Sequence, residues 1–161
     1  MTPRPYYETE HNLDQEKEVV KVMSEEWRSH FYKLPISYHL DYALVRDNRV
    51  RGFAEIKCRT NMFDTYPTYM ISLLKVIKAN ELSAETGLPC LLLVQWIDWL
   101  GWTTFDMEYE LSYGGRKDRG DGFDVEPVAH FPIDVFHLDH KTNPDILHNI
   151  DNGNTHKEIQ K

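Results

Sequence analysis

The chain has 161 residues, 41% hydrophobic and 27% charged, which is enough for one domain with a sizeable core. No run of about 18 apolar residues occurs, so no helical membrane span is expected. The formal net charge of −8 argues against bulk attraction to nucleic acid, but leaves room for a small basic face or for carboxylates that await metal ions.

The opening MTPRPYYETEHN lacks the apolar core of a secretory signal, so a cytoplasmic protein is expected, with residues 1–12 a polar lead-in. From Leu13 the pattern turns helical. Glu16, Val20, Met23, Trp27 and Phe31 recur at spacings of three and four, Asp14 is the expected N-cap, and the helix should end before Leu34-Pro35. The next stretch reads as a short strand near 34–38, a second near 40–46, a turn at Asp47-Asn48 and a third strand at 50–58. Strands so closely linked are antiparallel.

A second helix is expected from about Tyr69 to Thr86, capped by Thr68 and closed by Gly87 and Pro89. The continuous apolar run CLLLVQWI that follows fits a strand buried on both faces, as parallel pairing after a crossover helix requires. Beyond Trp99, TTFDMEYELSY and FDVEPVAHFPI look like two strands of a C-terminal hairpin around the charged loop GGRKDRGDG. Residues 13–140 make one domain on this reading, with its core over 13–97 and an extension over 98–140. The tail 141–161 is polar and expected to be flexible. Cys58 and Cys90 fall in apolar strand-like runs and read as buried free thiols.

The chemistry lies in GFAEIKCR, residues 52–59. Side chains two apart on a strand share a face, so Glu55, Lys57 and Arg59 point the same way. Asp41 opens the neighbouring strand and can lie about 5 Å from Glu55, one strand-to-strand step away. A buried carboxylate pair loses hydration and repels itself, so it needs a cation or a proton. One lysine balances part of that charge, and hard oxygen ligands would select magnesium or manganese for the rest. Glu16 adds a third acid on the buried stripe of the first helix, an unusual place for a carboxylate without a partner.

Asp41, thirteen intervening residues and then Glu55-Ile56-Lys57, set in a helix, three-strand, helix, strand order, resembles the PD-(D/E)XK nuclease superfamily over residues 13–97. The chain is also similar to small nuclease-like proteins of bacteriophages. One departure stands at the first motif position, where Leu40 precedes Asp41 in place of proline. The resemblance implies an α/β, restriction-endonuclease-like fold and a Mg2+- or Mn2+-dependent endonuclease that hydrolyses phosphodiester bonds, with DNA ahead of RNA as substrate.

Asp41 and Glu55 would then hold the metal together with the backbone carbonyl of Ile56. Glu16 would bind a second ion or orient the attacking water, and Lys57 would donate to the water or to the transition state. Arg59, Ser72, Lys75 and Tyr69 are the candidate substrate contacts. Duplex-cutting enzymes often pair two sites, which makes a homodimer a further expectation. Two alternatives stay open: a nuclease fold without catalysis that serves as a nucleic-acid-binding or assembly module, and a structural or host-interaction phage protein.

Other signals are weaker. His137 and His140 form H-x-x-H with His130 and His148 nearby, but no paired cysteines accompany them. YGGRKDRGDG lacks the lysine and hydroxyl ending of a phosphate-binding loop, and no G-x-S-x-G elbow supports a serine triad.

Overall fold

The computed structural model describes residues 10–114 and 126–142. Expectations for the rest of the lead-in, for most of the glycine-rich charged loop and for nearly all of the tail lie outside these residues. No helix among the described residues is long and apolar enough to cross a membrane.

Helix α1 spans Glu10–Glu26 and is followed by strands β1 (His30–Lys33), β2 (Tyr42–Arg46), β3 (Arg49–Cys58) and β4 (Thr68–Ser72). Helix α2 (Leu73–Thr86) leads to β5 (Cys90–Gln95), β6 (Trp99–Thr104), β7 (Glu110–Gly114), β8 (Glu126–Pro132) and β9 (His137–Lys141). The main sheet runs β1-β2-β3-β5-β6-β9, and a second sheet runs β4-β8-β7. In the main sheet only β3 and β5 pair in parallel. The mixed α/β architecture is the one expected from the sequence.

β5 explains why a buried parallel pair reads as an unbroken apolar run. Leu92 and Val94 face a core shared with Val76 and Ala79 of α2 and with Ile71, Ala129 and Phe131 of the second sheet. Leu93 faces the opposite way, into a cluster with Val19 and Met23 of α1. The main sheet is therefore covered by α1 on one face and by α2 with the second sheet on the other. At the mouth of the β3–β5 pair the Phe53 N–H donates to the Pro89 carbonyl at 2.9 Å. The preceding residue must be glycine, because a Cβ on Gly52 would sit 2.8 Å from that oxygen.

The Asp47-Asn48 turn stands as expected, with φ of 54° and 59° at the two residues, the left-handed pair that two-residue hairpins require. Several boundaries differ from expectation. α1 starts at Glu10, so Asp14 is interior and not its cap, and the helix stops at Glu26. Phe31 keeps the helical spacing by coincidence, since it lies in β1 and stacks on Trp27 at 6.2 Å. The strand expected at 34–38 is instead β1 at His30–Lys33, followed by a single 3-10 turn over Ile36–Tyr38. Pro35 stops the ladder because it has no N–H to donate.

Residues Thr68–Ser72 form β4 rather than the first turn of α2, which begins at Leu73 with Ser72 at its N-cap. Their alternating burial gives the strand away. The C-terminal segment is more than a hairpin. β7 and β8 do pair, but β4 joins them, while β6 and β9 extend the main sheet. Cys90 is buried and Cys58 half-buried, and both are free.

Candidate active site

β3 is ten residues long, and its two edges are not equally occupied. On one side β5 accompanies it from Phe53 to Cys58. On the other, β2 accompanies it only as far as Tyr42 opposite Ala54. One register irregularity between Leu44 and Val45 leaves Arg51 as an extra residue in β3, and the resulting register sets Asp41 against Glu55. Where the β2 backbone ends, its side chain takes over, and Asp41 Oδ2 accepts the Ile56 N–H at 2.9 Å. The carboxylate thus lies near the plane of the sheet. The N–H and C=O of one strand residue point to the same edge, so the Ile56 carbonyl faces this notch as well.

Glu55 and Lys57 project from β3 toward α2. Glu55 is 2% exposed. Its Oε1 is 3.2 Å from the Lys57 ammonium and 3.3 Å from that of Lys75 on α2. Its Oε2 is buried with no hydrogen-bond partner among the described residues. Burial is the main force that raises the Glu55 pKa, and the Asp41 carboxylate adds to it against the pull of the lysines. For Lys57, burial pulls the pKa down, but Glu55, Tyr69 and Asp41 together outweigh it and the net shift is upward. Lys57 is therefore charged throughout the neutral range. Lys75 also donates to the His39 carbonyl, which ties α2 to the loop just before Asp41.

Glu16 is buried, as the helical stripe requires, but on the α1 face of the sheet. Its Oε2 accepts from the Tyr42 hydroxyl and from Lys33 Nζ, each at 3.0 Å. Lys33 Nζ also lies 3.7 Å from Asp41 Oδ1. Burial raises the Glu16 pKa, with Asp41 next in importance. The Asp41 carboxylate pushes the pKa of both glutamates upward. The three acids therefore form a chain around the end of β2, with Asp41 in the middle. Among the described residues, no three His, Cys, Asp or Glu side chains are grouped to hold a metal by themselves. The sheet separates Glu16, on the α1 face, from Glu55, on the α2 face.

The expected substrate contacts divide. Lys75 is at the site. Arg59 shares the Glu55 face, but its guanidinium covers the Tyr69 ring at 4.8 Å and donates to the Met70 carbonyl at 3.4 Å. Tyr69 is a core residue, 3% exposed, so it offers no face for a nucleic acid base. The Ser72 hydroxyl donates to Glu126 at 3.2 Å. Sequence reasoning does not single out Lys33 and Tyr42, because the helical spacing runs on through Phe31 into β1. β1 has one half-buried residue, Phe31, and no alternation that would expose them.

The other reactive groups lie elsewhere. His137 stacks on Trp102 at 4.4 Å and His140 pairs with Glu26. His130 is held between Thr68 and Ser112, and His148 is outside the described residues. Burial pushes the Cys58 thiol up to about 12 and that of Cys90 to about 11, so neither is a thiolate near neutrality.

A family model described as "Phage putative PDDEXK endonuclease" matches residues 2–138. The chain belongs to that family. Among solved structures, the PD-(D/E)XK chain described here is similar to Archaeoglobus fulgidus Hjc, a Holliday junction resolvase from an archaeal hyperthermophile. The likeness has a TM-score of 0.50 at 12% identity and covers 76% of this chain and 84% of that one, which shows a shared fold. No curated protein sequence matches the chain.

Proposed function

We propose that this PD-(D/E)XK protein is a Mg2+- or Mn2+-dependent endonuclease that hydrolyses phosphodiester bonds in DNA. The observation that carries the reading is the buried Oε2 of Glu55, a carboxylate oxygen without a partner, beside Asp41 at the open edge of β3. Leaving such an atom unsatisfied is costly in a low-dielectric setting, and a hard cation relieves the cost. Two carboxylates and one main-chain carbonyl suit magnesium, which keeps several waters of its own. The family description supports endonucleolytic cleavage, and a structural neighbour that is a Holliday junction resolvase supports DNA as the substrate.

Asp41, Glu55 and the Ile56 carbonyl would hold the ion. When bound, it would supply charge neutralisation at the phosphate and activation of water. Lys57 stays protonated and is 37% exposed, so it can donate to the phosphate or to the attacking water while Glu55 anchors it. Such a donor acts most strongly where charge develops. Lys75 is a second fixed cation on the same wall, placed to meet a phosphate oxygen. Glu16, through Lys33 and Tyr42, sets the orientation of the Asp41 side of the site. The test is cleavage of supercoiled, linear and branched DNA with magnesium or manganese, then with chelator, by wild type and by Glu55→Gln. Metal-dependent nicking lost in the variant is the expected result. Uptake of DNA without cleavage under every metal condition would favour the binding-module alternative.

A further inference from the structure

We propose that Lys33 is a resident counter-cation of the site: it bridges Glu16 and Asp41 in the metal-free protein and must yield Asp41 Oδ1 for a divalent ion to bind, so that it sets the site's metal affinity. The inference rests on the metal-dependent reading above.

Asp41 has two oxygens, and they differ. Oδ2 is committed to the Ile56 N–H at 2.9 Å, a bond that continues the sheet. Oδ1 is the oxygen with freedom to take another partner, and among the described residues the cation closest to it is Lys33 Nζ at 3.7 Å. The same ammonium lies 3.0 Å from Glu16 Oε2, so its hold on Glu16 is the tighter one. It can therefore leave Asp41 without leaving Glu16.

The surroundings make this a defined position. Lys33 pairs with Tyr42 across the β1–β2 ladder, and its ammonium lies 4.9 Å from the centroid of the Tyr42 ring. The Leu34 N–H donates to the Asp41 carbonyl at 2.7 Å, which fixes the two backbones against each other. The Lys33 side chain is 45% exposed, so a small outward swing costs little.

An ammonium that neutralises the acids occupies the electrostatic role a metal would take. A divalent ion on Asp41 Oδ1 would meet Lys33 at close range, and like charges so placed repel. Solvent screens part of that repulsion because Lys33 is half in water. Lys33 thereby weakens metal binding, yet keeps the apo site from carrying uncompensated charge.

The experiment is manganese binding to the full chain, followed by the electron paramagnetic resonance signal of the free ion and by thermal unfolding. Wild type, Lys33→Met, Lys33→Arg and Glu55→Gln are compared. Lys33→Met should bind manganese about three- to tenfold more tightly. Lys33→Arg should stay close to wild type because the charge is kept. Without metal, Lys33→Met should unfold at a lower temperature than wild type, and manganese should raise its midpoint by more. Equal or weaker manganese binding by a folded Lys33→Met overturns the proposal while wild-type binding leaves the metal reading intact. No binding by wild type, or equal binding by Glu55→Gln, overturns the metal reading and this proposal with it.

Discussion

The Asp41 carboxylate accepts the Ile56 N–H at 2.9 Å, so a side chain from the end of β2 completes the ladder of β3 next to Glu55. Its structural and chemical roles can be separated. Asp41→Asn keeps an oxygen for the N–H and should fold with stability within about 1 kcal/mol of wild type. Asp41→Ala leaves the N–H unpaired and should cost about 1–3 kcal/mol in urea unfolding. Both should lose cleavage of plasmid DNA, since neither carries a carboxylate for the ion. Full activity in Asp41→Asn would remove Asp41 from the metal set.

Glu16 gives a pH prediction. Its pKa in the folded protein is raised above the ordinary 4.5, chiefly by burial. Below pH 4.5 the group is protonated whether folded or unfolded, and its contribution to stability is fully present. As pH rises toward the folded value, the unfolded chain releases the proton first, and stability is progressively lost. Glu16→Gln removes this loss. In metal-free buffer the variant should therefore be more stable than wild type at pH 8, and the gap should close as pH falls toward 4.5. Urea midpoints at several pH values measure it.

A divalent ion should stabilise the fold, because the buried Glu55 carboxylate is more costly to keep charged without one. At a concentration about a hundred times the dissociation constant the gain is about 2.7 kcal/mol, which should be visible as a raised unfolding temperature that chelator reverses. Glu55→Gln should show little of this rise.

Lys57→Met should separate binding from chemistry. The lysine is not a ligand, so metal-induced stabilisation should survive. Cleavage should fall about 10²- to 10³-fold, the usual effect of removing one fixed donor to developing charge. Lys75→Met should be milder, and should act more on substrate affinity than on the limiting rate.

Gly52→Ala tests the fold alone. The added methyl would stand 2.8 Å from the Pro89 carbonyl oxygen, and backbone must move to admit it. A loss of about 1–3 kcal/mol is expected in denaturant.

Much of this was legible in the sequence. The apolar run of β5, the Asp47-Asn48 turn and the Glu55/Lys57 alternation each follow from local rules, and each stands where expected. Thr68–Ser72 was misread because a strand running straight into a helix presents one continuous apolar pattern. β1 is hidden because Trp27 and Phe31 stack across the end of α1 at the spacing of a helix turn. The site was legible as composition but not as arrangement. Nothing local reveals that α1 packs on the face opposite Glu55, and so nothing local reveals that Lys33 stands between Glu16 and Asp41.

The extra residue Arg51 carries a consequence for how such a protein loses its activity. Were the strands to pair regularly with Arg51 in the ladder, every partner beyond Val45 would slip by one, and Asp41 would come opposite Ala54. Removing Arg51 outright, by contrast, keeps Asp41 opposite Glu55. The kink itself, far from any ligand, therefore holds the acid at its notch, and a substitution that flattens it would disarm the molecule by leaving that acid facing an inert methyl.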